Sequence, residues 1–175
     1  DRAREQTPPD VPLLLALGRL HTSKAFDTLM RAVVDLPGVY LWIAGEGPLR
    51  DELVALRSAL GLDDRVRFLG WRDDRAALLR ACDVCVFPSR FEPFGTVFVQ
   101  AWAQRVPVVS TASDGPRQYI RDGQDALLVG VDDVPALTAA IRRVLNDPDL
   151  RARLVGNGFA RYQAEFTKDR VIAQY

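Results

Sequence analysis

The chain has 175 residues, 48% of them hydrophobic and 26% charged, values that suit one soluble globular domain able to bury a substantial core. Its 23 Lys and Arg balance its 23 Asp and Glu, so no basic footprint for nucleic acid and no polyanionic partner is expected, and any anion site must be local. The longest apolar stretches, such as Val11 to Leu17 and Val84 to Phe87, fall far short of the roughly 20 residues needed to span a bilayer.

Residues 1–10 are charged and contain proline, without the apolar run of a signal peptide; they read as the tail of an interdomain linker, and a cytoplasmic address is expected. Residues 11–175 read as one domain. Short apolar runs predict strands at Leu13–Leu17, Tyr40–Ala44, Val66–Leu69, Val84–Phe87, Val108–Ser110 and Ala126–Val129. Between them, helices are predicted near Ala25–Asp35, Leu49–Leu60, Arg75–Ala81, Thr96–Arg105 and Val134–Asn146, where Leu137, Ile141, Val144 and Leu145 mark an apolar stripe. A further helical stretch covers about Pro148–Phe166, with Pro148 as a first-turn residue after the turn signal Asn146-Asp147. Apolar strands alternating with helices are the pattern of a Rossmann-like α/β domain, a six-stranded parallel sheet covered on both faces.

In such a sheet ligands bind in the crevice outside the carboxyl ends of the strands, so the loops that follow the strands are the place to look. Arg19 and Lys24 flank the first of these loops. Two cations suit a diphosphate, Arg as a planar fork of donors and Lys as a mobile point charge; by spacing alone they are as readily two solvated surface charges. Glu92-Pro93-Phe94-Gly95-Thr96 follows the fourth strand and opens a helix, whose first amides, at Gly95, Thr96 and Val97, are unsatisfied donors able to cradle a phosphate. Gln100 lies one turn beyond Thr96, on the same face. A carboxylate at Glu92, beside an anion site, has a reason to be there if it accepts hydrogen bonds from sugar hydroxyls; the alternative is an ordinary loop acid.

Other reactive residue types carry less. Cys82 and Cys85 have the C-x-x-C spacing of a redox pair or half a zinc site, but the first ends a predicted helix and the second lies in a strand, with no second pair for zinc; they read as buried small hydrophobes. His21, the only histidine, reads as a loop residue rather than a catalytic base. Trp42 and Trp102 read as core, whereas Trp71, beside Arg72 at a strand's carboxyl end, is open to the crevice.

The ordered set Gly18-Arg19-Leu20…Lys24, Gly45-Glu46-Gly47-Pro48-Leu49, Val66-Arg67-Phe68-Leu69-Gly70, Pro88-Ser89…Glu92-Pro93-Phe94-Gly95 and Val106-Pro107-Val108-Val109 resembles the C-terminal, donor-binding domain of GT-B retaining glycosyltransferases of family 4, the glycosyl transferases group 1. The resemblance covers nearly the whole chain. It implies that Arg19 and Lys24 grip the donor diphosphate beside Gly18. The amides of Phe94, Gly95, Thr96 and Val97 would hold the transferred sugar and its phosphate. Glu92 matches the first acid of the family's E-x7-E motif and would bind donor-sugar hydroxyls, with Arg19, Lys24 and Glu92 as the catalytic set. Arg72 falls where the family's main chain contacts the base, and Gln100 stands where the second acid binds the ribose diol. Gln100 is thus a departure, as are Ala25 in place of the glycine after the lysine and Asp114-Gly115-Pro116-Arg117-Gln118 in place of Gly-Gly-x-x-Glu.

The expected function is retaining transfer of a sugar from a UDP- or GDP-sugar donor, in cell-surface polysaccharide or lipopolysaccharide assembly. The nucleotide sugar is a substrate, no cofactor is expected, and with no metal-ligand set visible the reaction is expected to be metal-independent. The acceptor, a glycan or a lipid-linked molecule, would be held by an N-terminal domain outside this chain, so this half alone should bind donor and transfer little. Peripheral association with the inner face of the cell membrane would belong to the full-length enzyme. The alternatives are a catalytically weakened nucleotide-sugar-binding or regulatory module, favoured by Gln100 and Gln118, and a GT-B sugar-nucleotide epimerase. A dinucleotide-dependent dehydrogenase fits poorly, since Gly45-x-Gly47 continues to Arg50 where a third glycine is needed and follows the second strand rather than the first.

Overall fold

The computed structural model describes residues 1–169. Six parallel strands, β1 (Leu13–Leu17), β2 (Tyr40–Ala44), β3 (Val66–Gly70), β4 (Val84–Phe87), β5 (Val108–Thr111) and β6 (Leu127–Val129), form one sheet in the order β3-β2-β1-β4-β5-β6. The order reverses between β1 and β4, which pair through Leu14 with Val84 and Leu15 with Cys85, so the sheet is doubly wound and its crevice opens above that pair. Every residue of β1 and β4 is buried, the continuous apolar pattern of a strand covered on both faces.

Alternation along β1 divides the core in two. Leu14 and Ala16 join Leu29, Met30 and Val33 of α1 (Phe26–Val34), Leu53 of α2 (Arg50–Ala59) and Leu137, Ile141 and Val144 of α6 (Val134–Asn146). Leu13, Leu15 and Leu17 face Leu78 and Leu79 of α3 (Arg75–Ala81) and Val97, Phe98, Ala101 and Trp102 of α4 (Thr96–Ala103). Helix α7 (Pro148–Arg161) starts on the first side through Leu150 and Leu154. Its π-turn extension, Tyr162–Phe166, packs against the second, so the chain straps the two layers together. Asp147 caps α7 by accepting from the Leu150 amide at 2.9 Å, and Asp133 caps α6 from the Ala136 amide at 2.9 Å.

The six strands stand where the apolar runs predict them, to within a residue at the ends of β3, β5 and β6. Two local expectations are corrected. Between β5 and β6, where no helix is predicted, the chain forms a short helix, α5 (Asp114–Tyr119). Pro116 falls in its first turn, where an amide would be unpaired in any case, so a residue that reads as a breaker is tolerated. The helix expected from Ala25 begins at Phe26: Lys24 ends a separate 3₁₀ turn, Thr22–Lys24, and Ala25 makes the join in the left-handed region at φ 52°. The end of the domain read over residues 11–175, from residue 170 on, lies outside the described residues.

Residues 1–10 are tied to the body of the domain. The Arg2 guanidinium donates to the Ala81 carbonyl at 2.9 Å and to Asp83 at 3.0 Å, and the buried Trp42 indole N–H donates to Thr7 Oγ1 at 2.9 Å. No described helix is long and apolar enough to cross a membrane.

Candidate functional site

The loops after β1, β2 and β3 enclose a cavity of about 280 Å³ lined by Gly18, Arg19, Gly45, Glu46, Trp71, Arg72 and Arg75, among others. Arg19 is exposed, and Trp71, on the cavity wall, is 67% exposed. The Arg72 side chain is engaged elsewhere: it meets Asp74 in a bidentate pair at 2.7 and 2.6 Å and Glu5 at 2.8 Å. Those carboxylates hold the Arg72 guanidinium well above its ordinary pKa, first through the bonds to Asp74 and then to Glu5.

Lys24 and Glu92, 68 residues apart, meet as an ion pair on the β4 side of the crevice. Both side chains are largely buried, and the Lys24 ammonium also sits 5.8 Å from the centre of the Phe87 ring. The pair means that each charge neutralises the other, where either alone would be costly to desolvate.

Helix α4 begins two residues past Phe94. Its N-cap, Gly95, is buried at φ 96°, and a Cβ there would lie 2.9 Å from the Phe87 ring, so both conformation and space require glycine. A glycine cap supplies no side-chain acceptor and no acid stands in the first turn, so the amides of Thr96 and Val97 face the crevice as open donors. Phe94 packs its ring against Tyr119, Phe98 and Phe166 at centroid distances of 4.9, 5.9 and 6.1 Å, which fixes the backbone that presents them. On the other side Gly115 approaches so closely that a Cβ would stand 2.4 Å from the Phe94 carbonyl oxygen, and its amide donates to the Glu92 carbonyl at 2.7 Å.

Gln100 lines a neighbouring cavity of about 240 Å³ between α3 and α4 that shares Arg75 with the first. Its Oε1 is buried without a hydrogen-bond partner among the described residues. An unpaired buried amide oxygen costs roughly 1–3 kcal/mol, so the position favours an acceptor awaiting a donor group. The structure thus gathers Gly18, Arg19 and Arg72 at one cavity, Lys24, Glu92 and the α4 N-terminus beside it, and Gln100 at the neighbouring cavity that shares Arg75. Taken as chemistry, the crevice offers cations and open amides for an anion, flanked by acceptors for hydroxyl groups.

Three contributors are not evident from the sequence patterns. Arg75 bridges the two cavities; its place just after β3 was its only signal. Gly115 holds the Glu92 loop, and Arg90 anchors the other end of that loop through bonds to Asp27 and Asp132. The remaining reactive residues lie apart. His21 is exposed, its Nδ1 turned to Ser23 in the 3₁₀ turn. Cys85 is fully buried and burial pushes its thiol up to about 12; Cys82 is likewise raised, by burial and then by Cys85 and Asp83, so neither is a thiolate at neutral pH. Trp42 and Trp102 are core. Among the described residues no three His, Cys, Asp or Glu cluster in a way that could hold a metal.

A doubly wound parallel domain with a crevice at its switch point is an architecture shared by each half of a GT-B glycosyltransferase. The chain belongs to the glycosyl transferases group 1 family, whose model matches residues 1–161. It is 43% identical over its full length to a lipopolysaccharide core biosynthesis glycosyltransferase, LpsE, of Rhizobium meliloti, and covers 52% of that protein. Among solved structures it is similar to sucrose-phosphate synthase from Thermosynechococcus elongatus, with a TM-score of 0.91 and 35% identity over 99% of this chain and 46% of that one. It is also similar to Anabaena HepE in complex with UDP-glucose, with a TM-score of 0.90 and 27% identity over 94% of this chain and 47% of that one. The chain spans about half the length of these relatives.

Proposed function

We propose that this chain is the donor-binding half of a retaining glycosyltransferase that takes a UDP- or GDP-sugar and, with an acceptor-binding half, transfers the sugar in lipopolysaccharide or related cell-surface polysaccharide assembly. The observation that carries the reading is the meeting of Arg19, the Lys24–Glu92 pair and the open N-terminus of α4 at one edge of the sheet. In this reading Arg19, Lys24 and the amides of Phe94, Gly95, Thr96 and Val97 stabilise negative charge as it builds on the departing diphosphate, and Glu92 holds sugar hydroxyls. Gly18 and the Arg72 backbone border the nucleotide, and Gln100 Oε1 accepts from the ribose diol. Arg19 and Lys24 supply the positive charge, so the transfer is metal-independent and needs no cofactor.

Kinship with a lipopolysaccharide core enzyme over the whole chain and with a UDP-glucose complex supports this assignment. Residues 1–10 are the linker and residues 11–175 the donor domain; the whole enzyme works in the cytoplasm, at the inner membrane face when its acceptor is lipid-linked. Calorimetry with UDP and GDP is the direct test. Arg19→Ala and Lys24→Ala should each weaken binding about tenfold or more, equivalent to about 1.4 kcal/mol; unchanged affinity in both would remove the diphosphate assignment.

Gln100 favours a second reading, a module that binds donor but has lost transfer, because an amide accepts weaker hydrogen bonds than a carboxylate. Joining the chain to its acceptor half and following donor consumption separates the two.

A further inference from the structure

The Arg90 guanidinium bonds to several segments at once. It donates to both Asp132 carboxylate oxygens at 2.8 and 2.9 Å, to Asp27 Oδ2 at 2.8 Å, to Thr28 Oγ1 at 3.1 Å and to the Thr22 carbonyl at 2.8 Å. Its own amide and that of Phe91 both donate to the Ser23 carbonyl, at 2.8 and 3.3 Å. These bonds join the 3₁₀ turn that ends in Lys24, the start of α1, the loop before α6 and the segment running into Glu92. Lys24 follows Ser23 directly and Glu92 follows Phe91 directly, so the separation of the two charged groups is set across this one junction. Asp132 takes part at φ 58°, a left-handed conformation that costs a non-glycine residue about 1–2 kcal/mol, and Thr28 Oγ1 holds it there at 2.7 Å.

We propose that Arg90 is a positioning residue for the donor: it touches no substrate, and by tying the Thr22–Lys24 turn to the Glu92 loop it holds the Lys24 ammonium and the Glu92 carboxylate at the spacing a sugar diphosphate requires. The inference rests on the donor-site reading above. Its physical basis is that groups bearing on a reacting centre must be held to within a fraction of an ångström, and that this precision comes from the bonds behind them. Arginine suits the task because its planar fork satisfies acceptors on several segments together; a lysine ammonium presents its donors from one point.

Two measurements on the wild-type chain, Arg90→Lys and Arg90→Gln test it. In hydrogen exchange, the amides of residues 22–24 and 90–92 should exchange about tenfold faster in both variants, with β1 and β4 unchanged. In calorimetry, UDP should bind about tenfold more weakly to Arg90→Gln, with Arg90→Lys recovering only part of the loss. In a Lys24→Ala background Arg90→Gln should change UDP affinity little further, a non-additivity that a general loss of stability does not produce. Unaltered exchange in these loops, or loosened loops with unaltered UDP affinity, overturns the positioning role alone. A wild-type chain that binds neither UDP nor GDP overturns the donor-site reading and the positioning role with it.

Discussion

At the scale of single residues, Ala25 shows how a departure from a family pattern acquires a physical meaning. It occupies the left-handed region between the 3₁₀ turn and α1, at φ 52°, where glycine pays no steric cost. Removing its buried methyl group loses packing but relieves that strain, so Ala25→Gly should leave stability within about 1 kcal/mol of wild type. The same change at Ala32, also fully buried but within α1, has no strain to relieve and should destabilise by about 1–2 kcal/mol; urea denaturation of the two variants checks the contrast. Gln100 supports a second prediction. Gln100→Glu places a charged acceptor where an unpaired buried amide oxygen now lies, and donor affinity should rise about threefold to tenfold in calorimetry. Reduced affinity would mean that the neighbouring cavity does not receive the ribose.

At the scale of elements, the β4–α4 loop is held from both sides, by Arg90 before Glu92 and by Gly115 after β5. Gly115→Ala would force a Cβ against the Phe94 and Glu92 carbonyls, both rigid backbone atoms, and should cost about 1–3 kcal/mol in stability while weakening donor binding through the displaced amides. A thermal melt with and without UDP reads both effects; full donor-induced stabilisation in this variant would separate α5 from the site. The helix carrying Gly115 is also the element that sequence patterns missed. Six residues hold less than two turns, too few to display an apolar period, and a Gly-Pro pair reads as punctuation. The strands were legible because burial on both faces leaves uninterrupted apolar runs such as Leu13–Leu17 and Val84–Phe87.

At the scale of the whole molecule, three arginine clamps join segments distant in sequence: Arg72 to Glu5 and Asp74, Arg90 to Asp27 and Asp132, and Arg161 to Asp125 and Glu165. Hydrogen bonds from these arginines hold the carboxyls of Asp74, Asp132 and Glu165 below their ordinary values. A depressed folded-state pKa contributes stability that is present above the ordinary carboxylate range and lost as pH falls through the folded value. Stability should therefore be level above about pH 5 and decline below about pH 4, and the gap between wild type and Arg161→Gln should narrow over that interval; urea titrations from pH 6 to pH 2 measure it. A gap that widens toward low pH would contradict the clamp as an electrostatic device.

The sequence by itself determined the layers, the strand positions and the edge that carries the candidate site, because periodicity and turn chemistry are local signals that survive without coordinates. It also singled out Arg19, Lys24, Glu92 and Gln100, through motif spacing along the chain. Only the tertiary structure decided that Lys24 and Glu92 face each other, that the Arg72 side chain is committed to Glu5 and Asp74, that Gln100 shares a cavity with Arg75 and has its oxygen unpaired among the described residues, and that Arg90 and Gly115 hold the loop between them. Those are contacts between segments up to 68 residues apart, fixed by how the strands order themselves in the sheet, and no local pattern in the chain encodes which loop will close on which.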